Sequence, residues 1–177
     1  MNPPQPTEQQ ILPTATDRPF TFACHPGVPC FTECCRELDL ALTPYDVLRL
    51  KRSLGITSGQ FLERYVIVEW EASELFPACY LTMVDDGRAS CVFVGATGCA
   101  VYPDRPGSCR AYTIGRGAAR TDQGTPVESL VVVRETHCRG FAEECTQTVA
   151  DYLRGQGLDL DEVEPAAGRA RTQGVLV

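Results

Sequence analysis

The segment CHPGVPCFTECCR (Cys24–Arg36), with the run LTPYDVLRLKRSLG (Leu42–Gly55) just beyond it, decides how this chain reads. Cys24, Cys30, Cys34 and Cys35 form the pattern C-x5-C-x3-C-C. Close cysteines can turn their sulfurs toward one ion, because a short loop closes cheaply and a metal repays the closure. Cys34 and Cys35 are the informative pair. Adjacent α-carbons stand about 3.8 Å apart across a trans peptide, and in an extended backbone their side chains point to opposite sides. The pair therefore serves two metals or approaches one centre from a bent backbone. Zinc fingers space their cysteines C-x2–4-C, so this is not the spacing of a finger or ribbon, nor that of a bacterial ferredoxin.

The run that follows predicts a helix. Thr43 can cap it, Pro44 suits its first turn, Asp46 stands at the third position and Gly55 ends it. Val47, Leu48, Leu50 and Leu54 give the apolar face, and Arg49, Lys51 and Arg52 stay wet. A second helix starts at Ser58 and buries Phe61, Leu62 and Tyr65. Val66–Trp70, Tyr80–Val84 and Leu130–Val133 read as strands, with a turn at Asp85–Gly87. A last helix over Glu143–Arg154 carries Val149, Tyr152 and Leu153. Gly115, Gly117 and Gly124, with the polar residues of Arg116–Thr125, read as a surface loop.

The fold expected is α+β: a small, loop-rich single domain organised around a cysteine metal cluster. Residues 1–20 are Pro- and Gln-rich and read as a flexible tail, residues 21–158 as the domain, and residues 159–177 as a second flexible tail. The long loops need something to hold them.

Composition narrows the function. With 177 residues the chain can bury a core of its own, and a net charge of −7 argues against a general nucleic-acid binder or a protein of anionic membrane surfaces. No apolar run approaches the roughly 18 residues of a membrane helix. The 10 cysteines are the unusual number. Without a basic start and an apolar stretch at the N-terminus, the expected compartment is the reducing cytoplasm, where grouped cysteines serve metals or catalysis more often than disulfides.

The later cysteines, Cys91, Cys99, Cys109 and Cys138, follow C-x7-C-x9-C and then a gap of 28 residues. Eight grouped thiols fill two four-thiolate sites, or one cluster and a second ion. Four-thiolate zinc carries net charge −2. Arg36, Arg110 and Arg139 each follow a cysteine and could offset such charge, though the same arginines would also make a free thiol more reactive. His25 and His137 adjoin two of the cysteines and suit contact with a thiolate more than ligation. Asp46 and the Asp104–Arg105 pair read as structural, the one capping a helix and the other fixing the YPDRPG loop. No Ser-His-Asp or Cys-His-Asn set emerges, and no reaction or substrate can be named.

In combination, the CC pair, the LTPYD helix start, the YPDRPGSCR loop (Tyr102–Arg110) and HCRGF (His137–Phe141) resemble the YkgJ-like cysteine-cluster family, a zinc- or iron-chelating domain. The resemblance spans about Phe22 to Gly157. It implies that Cys24, Cys30, Cys34, Cys35, Cys91, Cys99, Cys109 and Cys138 are the metal ligands. Cys79 and Cys145 fall outside its pattern, as a buried small hydrophobe and a helix-start residue. It implies zinc or iron, an iron–sulfur cluster included, as cofactor and a metal ion as the first partner. A protein partner stays unidentified. A similar cluster occurs in flagellin lysine methylases, which use S-adenosylmethionine, but this chain shows no Gly-rich loop after a strand that would suggest a methyl-donor site. The alternatives to simple metal binding are therefore iron–sulfur electron transfer and an accessory of a metal-dependent enzyme.

Overall fold

The computed structural model describes residues 8–70 and 75–158. Along the chain run β1 (Gln10–Thr14), β2 (Pro19–Thr21), α1 (Pro44–Ser53), α2 (Ser58–Tyr65), β3 (Val66–Glu69) and β4 (Ala78–Leu81). Four two-residue strands follow: β5 (Met83–Val84), β6 (Ser90–Cys91), β7 (Val94–Gly95) and β8 (Gly98–Cys99). Then come α3 (Gly107–Ala111), β9 (Ile114–Arg120), β10 (Pro126–Arg134), β11 (Thr146–Thr148) and α4 (Val149–Gly155). The mixture of helices and small sheets is the α+β character that the sequence predicts. The chain divides into two compact units, His25–Gly107 (the loop unit) and the residues up to Cys24 with those from Ser108 onward (the sheet unit).

The sheet unit is built on an antiparallel sheet of order β1-β10-β9. Ile11 and Leu12 pair with Val133 and Val132, and a turn at 121–125 joins β9 to β10. In that turn the Thr125 N–H donates to Thr121 Oγ1, and Gly124 takes the positive φ of 80° that glycine tolerates best. Phe22, Ile114, Val132, Cys138, Val149, Tyr152 and Leu153 form the core. The Phe22 ring meets Tyr152 edge-on at 5.7 Å and Phe141 at 5.1 Å, arrangements that aromatic quadrupoles favour. Gly140 sits so close to this cluster that a β-carbon would lie 2.5 Å from the Ala23 carbonyl and 2.6 Å from the Phe22 ring. The glycine of HCRGF is therefore a packing requirement. Arg110 is buried, and its Nε donates to the Gln156 carbonyl at 2.6 Å, satisfying an acceptor at the C-terminal end of α4 where a cation is favoured.

The loop unit buries Leu40, Leu42, Leu50, Phe61, Leu81, Phe93 and Val101. Its helices start as their sequences dictate. Thr43 and Asp46 form a reciprocal capping box on α1, and Thr57 and Gln60 form another on α2. Asp46 does more than cap. Buried, it accepts from the Thr43 N–H at 2.9 Å, the Thr43 hydroxyl at 2.7 Å and the Gly107 N–H at 2.9 Å, which ties α1 to the end of the YPDRPG loop. The Phe61, Tyr65 and Phe93 rings stack in series at 5.5 and 5.3 Å.

Several expectations change. Residues 10–14, inside the stretch read as a tail, form a strand because Ile11 and Leu12 find ladder partners far along the chain, and residues 19–21, which straddle its end, form another. Residues 1–7 of that stretch, and all of 159–177, lie outside the described residues. The first half of the loop expected over Arg116–Thr125 is strand: β9 runs to Arg120, and the turn at 121–125 remains. Its alternation was hidden by glycine, and at Gly117 a β-carbon would lie 2.9 Å from Ser129 Oγ, so a larger residue there would need that hydroxyl to rotate away. The last helix starts at Val149 rather than Glu143. Thr148 is its cap, with its hydroxyl accepting from the Asp151 N–H at 3.1 Å, and Thr146–Thr148 pair with β2 first. Cys145 is exposed and precedes β11 rather than starting a helix, while Cys79 is half-buried in β4 opposite Val68. Arg49 is not simply solvated: it donates to the Pro103 carbonyl at 2.7 Å and pairs with Asp104 at 3.3 Å.

Candidate metal centre

The CC pair sits in a 3-10 turn, Glu33–Cys35, entered through Thr32 at φ 71° and left just before Glu37 at φ 52°. The backbone is thus bent at the pair, the second of the two geometries open to adjacent cysteines. The turn is docked on the segment that carries Cys91. Arg36 bridges to Ser90 and donates to its hydroxyl, and the Glu37 N–H donates to the Ala89 carbonyl at 2.9 Å. Glu33 is held by Arg88 at 2.7 Å, and that bond keeps its carboxyl below the usual range. Beyond Ser90, Cys91 pairs with Met83 and Cys99 pairs with Val94 across two minimal hairpins.

These contacts bring Cys35 within electrostatic reach of Cys34, Cys91 and Cys99, and Cys91 within reach of Cys99. The Cys34 thiol hydrogen-bonds Cys35 and, with the Arg36 and Arg105 charges, lowers the Cys35 thiol to about 7 against the opposing effect of burial. Cys91 and Cys99 move the other way. Burial pushes both thiols up, and the nearness of Cys35 adds to the rise. An ionised sulfur at Cys35 makes the next ionisation harder, a conflict that a bound cation resolves.

Arg105 has contacts that sequence reading did not give it. Its guanidinium lies 3.8 Å over the Tyr102 ring, donates to the Tyr102 carbonyl at 2.7 Å, and acts on Cys35 and Cys99, while Arg49 takes Asp104. Its place in the YPDRPG motif was the only signal.

Among the remaining predicted ligands, Cys30 belongs to the same unit, and its carbonyl accepts from the Glu33 N–H at 2.9 Å. Cys24, Cys109 and Cys138 belong to the sheet unit. Cys138 is buried in that unit's core, and Cys24 is exposed. His25 Nδ1 accepts from the Gly27 N–H at 3.1 Å, and His137 Nε2 lies 3.5 Å from Glu135. Among the described residues, no three His, Cys, Asp or Glu side chains converge on a point where they could hold an ion. The donor chemistry nevertheless suits a thiophilic ion: several thiols on one scaffold, one poised to ionise near neutral pH, and two guanidiniums beside them to offset thiolate charge.

A family described as "putative zinc- or iron-chelating domain" matches residues 23–146, most of the 177-residue chain. The protein belongs to this family. The match covers both cysteine groups and ends just past HCRGF. No curated protein and no solved structure matches the chain. Among the described residues no helix is long and apolar enough to cross a membrane.

Proposed function

We propose that the protein is a zinc- or iron-binding module that holds its metal through cysteine thiolates. Cys34, Cys35, Cys91 and Cys99 are the heart of the donor set. Cys30, Cys24, Cys109 and Cys138 complete the eight on the strength of the family pattern. The observation that carries the reading is the family match across both cysteine groups, and the bent CC pair docked on the segment that carries Cys91 supports it. In this role Arg36 and Arg105 stabilise thiolate charge, the Thr32–Glu37 bend turns the CC pair, and the Arg36–Ser90 and Glu37–Ala89 bonds hold that pair against the Cys91 segment. When bound, zinc would supply a permanent cross-link between loops too short to hold themselves, and iron with sulfide would add one-electron exchange. The reading belongs to a reducing compartment, the cytoplasm.

Elemental analysis and an absorption spectrum of anaerobically purified protein test this. Stoichiometric zinc in a colourless protein supports a structural module. Iron with acid-labile sulfide and broad visible absorption supports the electron-transfer form of the same reading. Neither metal, together with no titratable thiols, contradicts it and leaves the cysteines as disulfides.

A further inference from the structure

The sheet unit carries a second feature that the metal reading does not use. An open groove of about 760 Å³ runs beside β1 and β2, in the size range of small-molecule sites. Leu12, Phe20, Val132 and Phe141 give it apolar walls, and Arg18 and Arg134 stand among them. None of the described residues that line it is acidic.

The two arginines are the unusual part. The Arg134 guanidinium carbon lies 4.7 Å from the centre of the Phe141 ring, a cation–π contact that places its charge beside an apolar wall. Its Nε is buried with no hydrogen-bond partner among the described residues. Arg18 is exposed, in the loop between β1 and β2 that hydrogen-bonds to the start of α4: the Arg18 carbonyl accepts from the Val149 N–H at 3.2 Å and the Thr16 carbonyl from the Ala150 N–H at 2.9 Å. Neither side chain takes a carboxylate among the described residues. Yet the chain is acidic overall, with 23 Asp and Glu to 16 Lys and Arg, so ion partners are abundant elsewhere. Here two cations line one groove with apolar walls.

We infer that this groove binds a small amphipathic carboxylate, its head on Arg134 and Arg18 and its apolar tail along Leu12, Phe20, Val132 and Phe141. A forked guanidinium suits a carboxylate through two parallel hydrogen bonds, and the walls explain why a bare inorganic anion is not the fitting occupant.

The test is calorimetric titration of the metal-loaded full chain with decanoate, with decanol and inorganic phosphate as comparison probes. Decanoate should bind with one site per chain, and both comparison probes should bind at least tenfold more weakly. Arg134→Gln should weaken decanoate about tenfold or more and Arg18→Gln by a smaller factor, with metal content unchanged in both. If Arg134→Gln does not fold, Leu12→Glu, on the exposed edge strand, should produce the same loss by placing a carboxylate in the groove. No decanoate binding at millimolar concentration overturns the proposal. So does decanol binding as well as decanoate, phosphate competing as well as decanoate, or decanoate binding that neither arginine nor Leu12 affects. These readouts move independently of the metal content, so failure here and failure of the metal reading are distinguishable.

Discussion

The two units of this protein are made differently. The sheet unit has a nine-residue strand, β10, paired on both sides, and a contiguous core in which four aromatic rings touch. Among the described residues the loop unit has no strand longer than four residues, and Cys91 and Cys99 lie on ladders of two residue pairs each. A two-stranded ribbon is marginal in water. The sheet unit can rest on burial, and on the proposed metal reading a thiolate cross-link would hold the segments around Cys34, Cys91 and Cys99. The difference teaches where such a metal would matter to the fold.

The largest effect expected follows directly. Removing metal with a chelator under reducing conditions should abolish amide-exchange protection in β5 to β8 and around Glu33–Cys35, while β9 and β10 keep theirs. Structural zinc contributes about 10 kcal/mol or more in small thiolate domains, enough to decide the folding of such loops. Equal loss of protection in β9–β10 and β5–β8 would break the contrast.

Phe22→Ala should act oppositely, costing about 3–5 kcal/mol of stability with metal content retained, because Phe22 is almost fully buried among the rings of the sheet unit. Thermal melts paired with metal analysis would read it. Asp46→Ala should cost about 2–3 kcal/mol, since it leaves the Gly107 N–H and the Thr43 groups without their acceptor. Denaturant midpoints measure that, and a loss under 0.5 kcal/mol would show that the cap is dispensable. The smallest effect concerns Asp151. Its carboxyl is held below its ordinary 3.8 by the Thr148 hydroxyl and then Arg154. A lowered folded-state value means that its stabilisation is present above 3.8 and is lost as pH falls through the lowered value. Asp151→Asn should remove that part of the acid slope in thermal midpoints, and an unchanged slope would place the effect elsewhere.

Much of the loop unit was legible because its signals are local. Thr43-x-x-Asp46 and the run after Ser58 name two helices within one turn of their ends. The sheet unit was harder. β1 is read as a tail because Pro13 and the glutamines conceal two ladder residues, Ile11 and Leu12, whose partners lie more than 100 residues away. β9 hides behind Gly115 and Gly117, residues of low strand propensity, the second of which lies close to Ser129. For the candidate site, spacing marked the cysteines as a set. The local arrangement of Cys35, Cys91 and Cys99, with Arg105 near enough to act on Cys35 and Cys99, goes with the Arg36–Ser90 bridge and with Arg49 taking Asp104. Neither contact has a sequence signature.

The most direct test of the account is the metal content of a chain in which Cys34, Cys35, Cys91 and Cys99 are all changed to Ser, set beside one with Cys79→Ser and Cys145→Ser. The first should lose its zinc or iron and the second should keep it at the wild-type stoichiometry. Full metal occupancy in the four-serine chain would contradict the claim that these thiols hold the metal.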